Sequence, residues 1–153
     1  MPGHGRTLAA MLLASVFTSM AGTASGSCLD GRHPSPEQEF ADSAIVATGT
    51  ARVARIVVDR DDPQGYIATV YEIRVREIFR GRIPRRLYVE SENTSSRFPM
   101  EEGTTYLMFL QHDDHRAAYF IDNCGNSAPV GAARALLPRL RKMSATTGTM
   151  PSK

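Results

Sequence analysis

Residues 45–58 read IVATGTARVARIVV and residues 66–79 read YIATVYEIRVREIF, with the loop DRDDPQG between them. In the first run Ile45, Ala47, Gly49, Ala51 and Val53 are apolar or small at every second position. That is the period of a strand with one face in a core. The phase then slips, so that Arg55 falls on this face while Ile56 and Val58 fall on the other. A slip of one is what a bulge or sharp bend produces, and Gly49 gives a further place to coil. In the second run Tyr71, Ile73 and Val75 alternate with Glu72, Arg74 and Arg76, which places the first set inward and the second outward. The two runs predict a long, coiled hairpin.

Working outward, Arg80-Gly81 and Pro84 turn the chain, and Leu87 with Val89 gives a short third strand. A polar connection over 91–103 leads to Tyr106–Leu110, which is apolar without alternation and so predicts a strand covered on both faces. His112–His115 reads as a tight loop, and Ala117–Ile121 as a fifth strand ending near Cys124. Upstream, Ser35 is placed to cap a helix, Pro36 suits its first position and Gln38 completes a capping box. This short helix reaches Ala41 or Asp42, with Phe40 as its core contact. Val130–Met143 predicts a terminal helix carrying Leu136, Leu137 and Leu140, interrupted or started by Pro138, and 144–153 a disordered tail. The class is all-β: a five-stranded OB-like closed barrel with a short N-terminal helix and a C-terminal helix. An immunoglobulin-like sandwich is the competitor, but it calls for about seven strands and a core tryptophan, and the chain has no tryptophan.

The first 26 residues read as a signal peptide. Arg6 and His4 give a basic start, no acid precedes Asp30, and Leu8–Phe17 is an apolar run too short to span a bilayer. Cleavage is expected after Ala24 or Gly26, leaving one domain over 27–143 and a periplasmic or extracellular location. A lipoprotein anchored at Cys28 is the alternative. The formal charge of +2 loses one arginine with the leader, and the near-neutral remainder does not predict nucleic-acid binding. Cys28 and Cys124 are the only cysteines, which allows one intramolecular disulfide in an oxidising compartment, with two free thiols as the other reading.

Enzymatic constellations are thin. No Gly-x-Ser-x-Gly elbow occurs, and the carboxylate pairs Asp61-Asp62 and Glu101-Glu102 lie in loops. His112-Asp113-Asp114-His115 is a weak candidate for a divalent metal and for a metal-dependent enzyme. The same residues equally suit a solvated turn tip. No cofactor is expected. The arginines carry more. Arg74 and Arg76 project from the second strand, Arg86 and Tyr88 lie on the neighbouring third, and together they form a basic-aromatic candidate binding face. Its partners would be a protein, an acidic glycan or a lipid headgroup; a solvated face offset by Glu72, Glu77, Glu90 and Glu92 is the plainer reading. Arg134, Arg139, Arg141 and Lys142 beside leucines suit either packing on the barrel or peripheral membrane contact. Asn93-Thr94-Ser95 matches a glycosylation sequon.

The order of motifs resembles the netrin-like module shared with tissue inhibitors of metalloproteinases. The carriers are Cys28, the segment Glu39-Phe40-Ala41-Asp42-Ser43-Ala44-Ile45-Val46-Ala47-Thr48-Gly49-Thr50, Val75–Gly81, Phe98–Phe109 and Asp122-Asn123-Cys124. The resemblance implies the same OB-like barrel, a link from the N-terminus to the fifth strand through Cys28 and Cys124, and a secreted, non-enzymatic binding module. It also raises protease inhibition through the N-terminal edge. The inhibitors, however, open with Cys-x-Cys, whereas Cys28 is followed by Leu29 and Asp30. Cys28 matches the second cysteine of that pair, so the zinc-chelating group is missing unless processing exposes Cys28 itself.

Overall fold

The computed structural model describes residues 33–115 and 118–147. Residues 1–32, which include the expected leader and Cys28, residues 116–117 and residues 148–153 lie outside them.

A helix α1 (Pro36–Asp42) precedes five strands, β1 (Ile45–Val58), β2 (Tyr66–Arg80), β3 (Arg86–Glu92), β4 (Thr105–Asp113) and β5 (Ala118–Ile121). A two-residue strand β6 (Ala128–Pro129) and a helix α2 (Leu137–Thr147) complete the chain. Neighbouring strands run β1-β2-β3-β5-β4, and β4 returns to β1, which closes a five-stranded barrel. All ladders are antiparallel except a two-pair parallel contact of β3 with β5. Both β5 and β6 pair with β4, so β6 resumes the ladder after an excursion over 122–127.

Bulges coil the long hairpin. Arg52 is the extra residue on β1, between the pairs Ala51–Ile73 and Val53–Glu72, and it produces the phase slip read in the sequence. Arg76, Phe79 and Ile67 are extra residues on β2. Gly81, at φ +82°, turns the chain out of β2, and a Cβ there would meet the Ala44 carbonyl at 2.6 Å.

Two apolar cores lie on opposite sides of the wall formed by β1 and β4. Inside the barrel Ile45, Ala47, Ala51, Tyr71, Ile73, Val89, Met108 and Leu110 pack together. Outside, Val46, Phe79, Leu107 and Phe109 are covered by Phe40 of α1 and by Ala133, Leu136, Leu137 and Leu140. Tyr106–Leu110 is therefore buried on both faces, as its unbroken apolar run predicts.

Helix α1 matches its sequence signals: Ser35 Oγ accepts from the Gln38 amide and Pro36 occupies the first turn. Helix α2 differs from expectation at both ends. It starts at Leu137 rather than Val130, because residues 130–136 form turns anchored by Ala132 and Ala133 N–H bonds to the Pro129 carbonyl. Pro138 fits the first turn, where a missing N–H costs nothing. The helix continues to Thr147, four residues into the stretch expected to be disordered.

Candidate binding face

The β2–β3 ladder is regular, so the outward side chains line up in cross-strand pairs: Arg74 opposite Arg86, Glu72 opposite Tyr88, and Val70 opposite Glu90. Arg74 and Arg86 are exposed and enter no ion pair with any described residue. Directly opposed like charges are destabilising in a sheet, and among the described residues even Glu72, one pair along the ladder, forms no ion pair with either arginine. Tyr88, one pair further along the ladder, is 60 % exposed. Arg82 and Arg85 stand exposed in the adjoining turn, which is held by the Val75 amide bonding to the Arg85 carbonyl at 3.0 Å.

Three of the four residues expected on this face are thus brought together. Arg76, also exposed, is the extra residue of a bulge; its Nε donates at 2.8 Å to Oγ1 of Thr50, the residue opposite Arg74 on β1, and Thr50 Oγ1 also meets Thr105 Oγ1 at 2.9 Å. Of the offsetting acids, Glu77 is taken by Arg141, which donates from Nε and Nη2 at 2.8 and 2.9 Å. That hydrogen-bonded pair lowers the Glu77 carboxyl below its ordinary range. Glu90 and Glu92 lie toward the far end of β3, while Glu72 lies one pair from Arg74 and Arg86.

On the barrel side, β3 and β5 part after their two-residue contact and leave a cleft of about 400 Å³ with Phe98, Phe120 and Ile121 among its lining. Its acids Glu90, Glu92, Asp113 and Asp122 each have a partner within the chain. His112 lies in β4 rather than in a loop, opposite Tyr119, with their rings edge to face at 4.9 Å between centroids. Its Nδ1 meets Asp114 Oδ1 at 2.7 Å, while the His115 amide donates to Asp113 Oδ1 at 2.9 Å. Among the described residues no group of three or more His, Cys, Asp or Glu side chains is arranged to hold a metal ion. On α2, Arg139 pairs with Glu37 of α1 and Arg141 with Glu77 of β2, while Leu136, Leu137 and Leu140 pack on the barrel. No described helix is long and apolar enough to cross a membrane.

One constellation is invisible to sequence reasoning. Glu39 of α1 is only 6 % exposed, and its Oε2 accepts from both the backbone amide and Nδ2 of Asn126, each at 2.6 Å. Nδ2 of Asn126 also donates to the Pro34 carbonyl at 3.0 Å. Burial raises the Glu39 carboxyl above its ordinary range, although the Asn126 hydrogen bonds pull the other way. Gly125 lies against Glu39 Oε1 with no space for a Cβ. This clamp holds the excursion that carries Cys124, whose carbonyl faces His33 Nδ1 at 3.0 Å. No cysteine among the described residues is free. The only signal in the sequence is a Gly-Asn after the cysteine, which is too common to single out a buried glutamate.

The fold and the face define a small, mostly β protein with a closed five-stranded barrel, consistent with the OB-like class, and a basic-aromatic outer surface. Compared with known proteins, the chain matches no family model and no curated protein.

Proposed function

We propose that this protein is an exported, non-catalytic binding module of the netrin and metalloproteinase-inhibitor barrel type, and that it binds an acidic glycan on the β2–β3 face. The observation that carries the reading is the opposed pair Arg74 and Arg86, ion-paired with no described residue, beside exposed Tyr88. A carboxylate or sulfate placed between the guanidinium groups relieves their repulsion through charge-assisted hydrogen bonds. Tyr88 supplies a flat apolar ring with a polar tip against which a sugar ring can lie.

Export is part of the reading, since it rests on the leader at 1–26 and gives an oxidising compartment in which Cys28 and Cys124 form a bond. Support comes from His33, which contacts the Cys124 carbonyl. Cys28 is five residues upstream of His33, a stretch that spans at most about 18 Å when extended. The link closes most of the domain and is worth roughly 4–5 kcal/mol on the chain-entropy account.

The test is titration of a fluorescent sulfated hexasaccharide against an uncharged analogue. Wild type is expected to bind only the sulfated probe, with affinity falling as salt rises. The Arg74→Ala/Arg86→Ala variant should weaken binding about tenfold or more, equivalent to about 1.4 kcal/mol, while Arg97→Ala, in the 93–104 connection, should leave it unchanged. Equal binding by wild type and the double variant, or none by wild type at physiological salt, rejects the face.

A further inference from the structure

The second half of β1 has an open edge. β4 accompanies β1 only from Ile45 to Thr50, and the last bonds on that side join Ala51 to Gly103 and Thr104. Among the described residues, β1 from Arg52 onward pairs with β2 alone. Beyond the bulge, the Asp59 N–H bonds to the Gly65 carbonyl at 3.2 Å, continuing the ladder one residue past the strand. Backbone groups alternate sides along an antiparallel strand. Val57 and Arg55 therefore address β2, and Ile56 and Val58 present their N–H and C=O groups to the open side. The same two residues are 60 % and 54 % exposed, and Val58 stands opposite Tyr66, itself exposed.

We propose that this edge pairs with the same edge of a second copy of the chain, antiparallel and two-fold symmetric about Val57. The reason is the charge pattern of Arg55-Ile56-Val57-Val58-Asp59, which is complementary to itself when reversed. In that register Ile56 meets Val58 of the other copy as a hydrogen-bonded pair, and Val58 meets its Ile56. The two pairs exchange four backbone hydrogen bonds and bury the exposed apolar side chains. On the opposite face Val57 meets Val57, and Arg55 meets Asp59 in a non-hydrogen-bonded pair, where side chains approach most closely. Shifting the centre to Arg55 would oppose Arg55 to Arg55, so charge selects one register. An edge guarded only by basic residues would repel its own copy; here the acid that completes the pattern lies four residues on. The product is a continuous four-stranded ribbon, β2-β1-β1-β2, joining two barrels. A two-stranded ribbon is marginal by itself and gains from added strands.

Sedimentation velocity on the purified protein from about 1 to 100 µM tests this. Wild type is expected to dimerise. Arg55→Asp and Asp59→Arg each replace two opposite-charge contacts by two like-charge ones, and each should raise the dimer dissociation constant about tenfold or more. An equimolar mixture of the two variants restores both charge pairs and should recover the dimer as a heterodimer. Circular dichroism checks each fold, which matters for Asp59→Arg because Asp59 Oδ1 accepts from the Asp61 amide. Ile56→Lys, on a side chain already exposed, gives an independent way to block the edge. A monomeric wild type, a dimer indifferent to all three substitutions, or a mixture that stays monomeric would overturn the proposal.

Discussion

Ile45, Val46 and Ala47 at one end of β1 are at most 2 % exposed, whereas Ile56 and Val58 at the other end are 60 % and 54 % exposed. Both ends carry β-branched aliphatic residues, and both pair with β2. What differs is the company on the remaining sides. The first half has β4 on its second edge, the barrel interior on one face and the two helices on the other. Among the described residues the second half pairs with β2 alone, and Ile56 and Val58 are exposed. Strand propensity thus extends across both halves, while burial is decided by what else reaches the strand.

The largest expected effect tests that contrast directly. Phe109→Ala, in the β4 wall that covers the first half, should cost about 3–5 kcal/mol in urea unfolding. Ile56→Ala at low protein concentration should change stability by no more than about 0.5 kcal/mol. Comparable losses at the two sites would mean that the ribbon tip is packed after all.

A smaller effect sharpens the picture at the clamp beside the covered half. Burial raises the folded-state pKa of Glu39 above its unfolded value. Between those two values the folded chain binds more protons than the unfolded one, so stability falls as pH rises from about 4.5 through the folded value and is level beyond it. Glu39→Gln keeps an acceptor for both Asn126 donors and should remove this part of the pH dependence, as followed by thermal unfolding at a series of pH values. An unchanged profile would show that Glu39 does not titrate differently in the fold.

The smallest effect concerns the exposed Arg141–Glu77 pair on the outside of the helix cover. Hydrogen bonding to Arg141 lowers the Glu77 carboxyl, so this contribution is present above the unfolded value and lost as pH falls through the folded one. Arg141→Ala should barely move the melting temperature at physiological salt, with any difference shrinking further at high salt. A large, salt-insensitive loss would instead assign the helix docking to this pair rather than to Leu140.

Much of the fold was legible because local rules carried it. The alternation through Tyr71, Ile73 and Val75, the slip near Arg55, the cap at Ser35 and the double-faced run Tyr106–Leu110 each report a periodicity or a capping bond spanning a few residues. The start of α2 was not legible, since Val130–Leu136 carries helix-forming residues whose backbone is claimed by Pro129 and the wall of the barrel. On the candidate face, three of four residues followed from strand alternation. For Arg76 the structure added a bulge and a bond to Thr50, the residue opposite Arg74.

The sequence by itself determined the elements of this protein: two long coiled strands, a strand covered on both sides, short flanking helices and a basic turn. Those follow from side-chain period and turn chemistry, which act between near neighbours. Only the tertiary structure decided that the slip in β1 sits at Arg52, that Arg74 stands opposite Arg86, that Glu39 is buried under Asn126, and that β1 outruns β4. Each depends on which distant segment arrives alongside, and cross-strand register is set by the summed packing of the whole barrel rather than by any local run of residues.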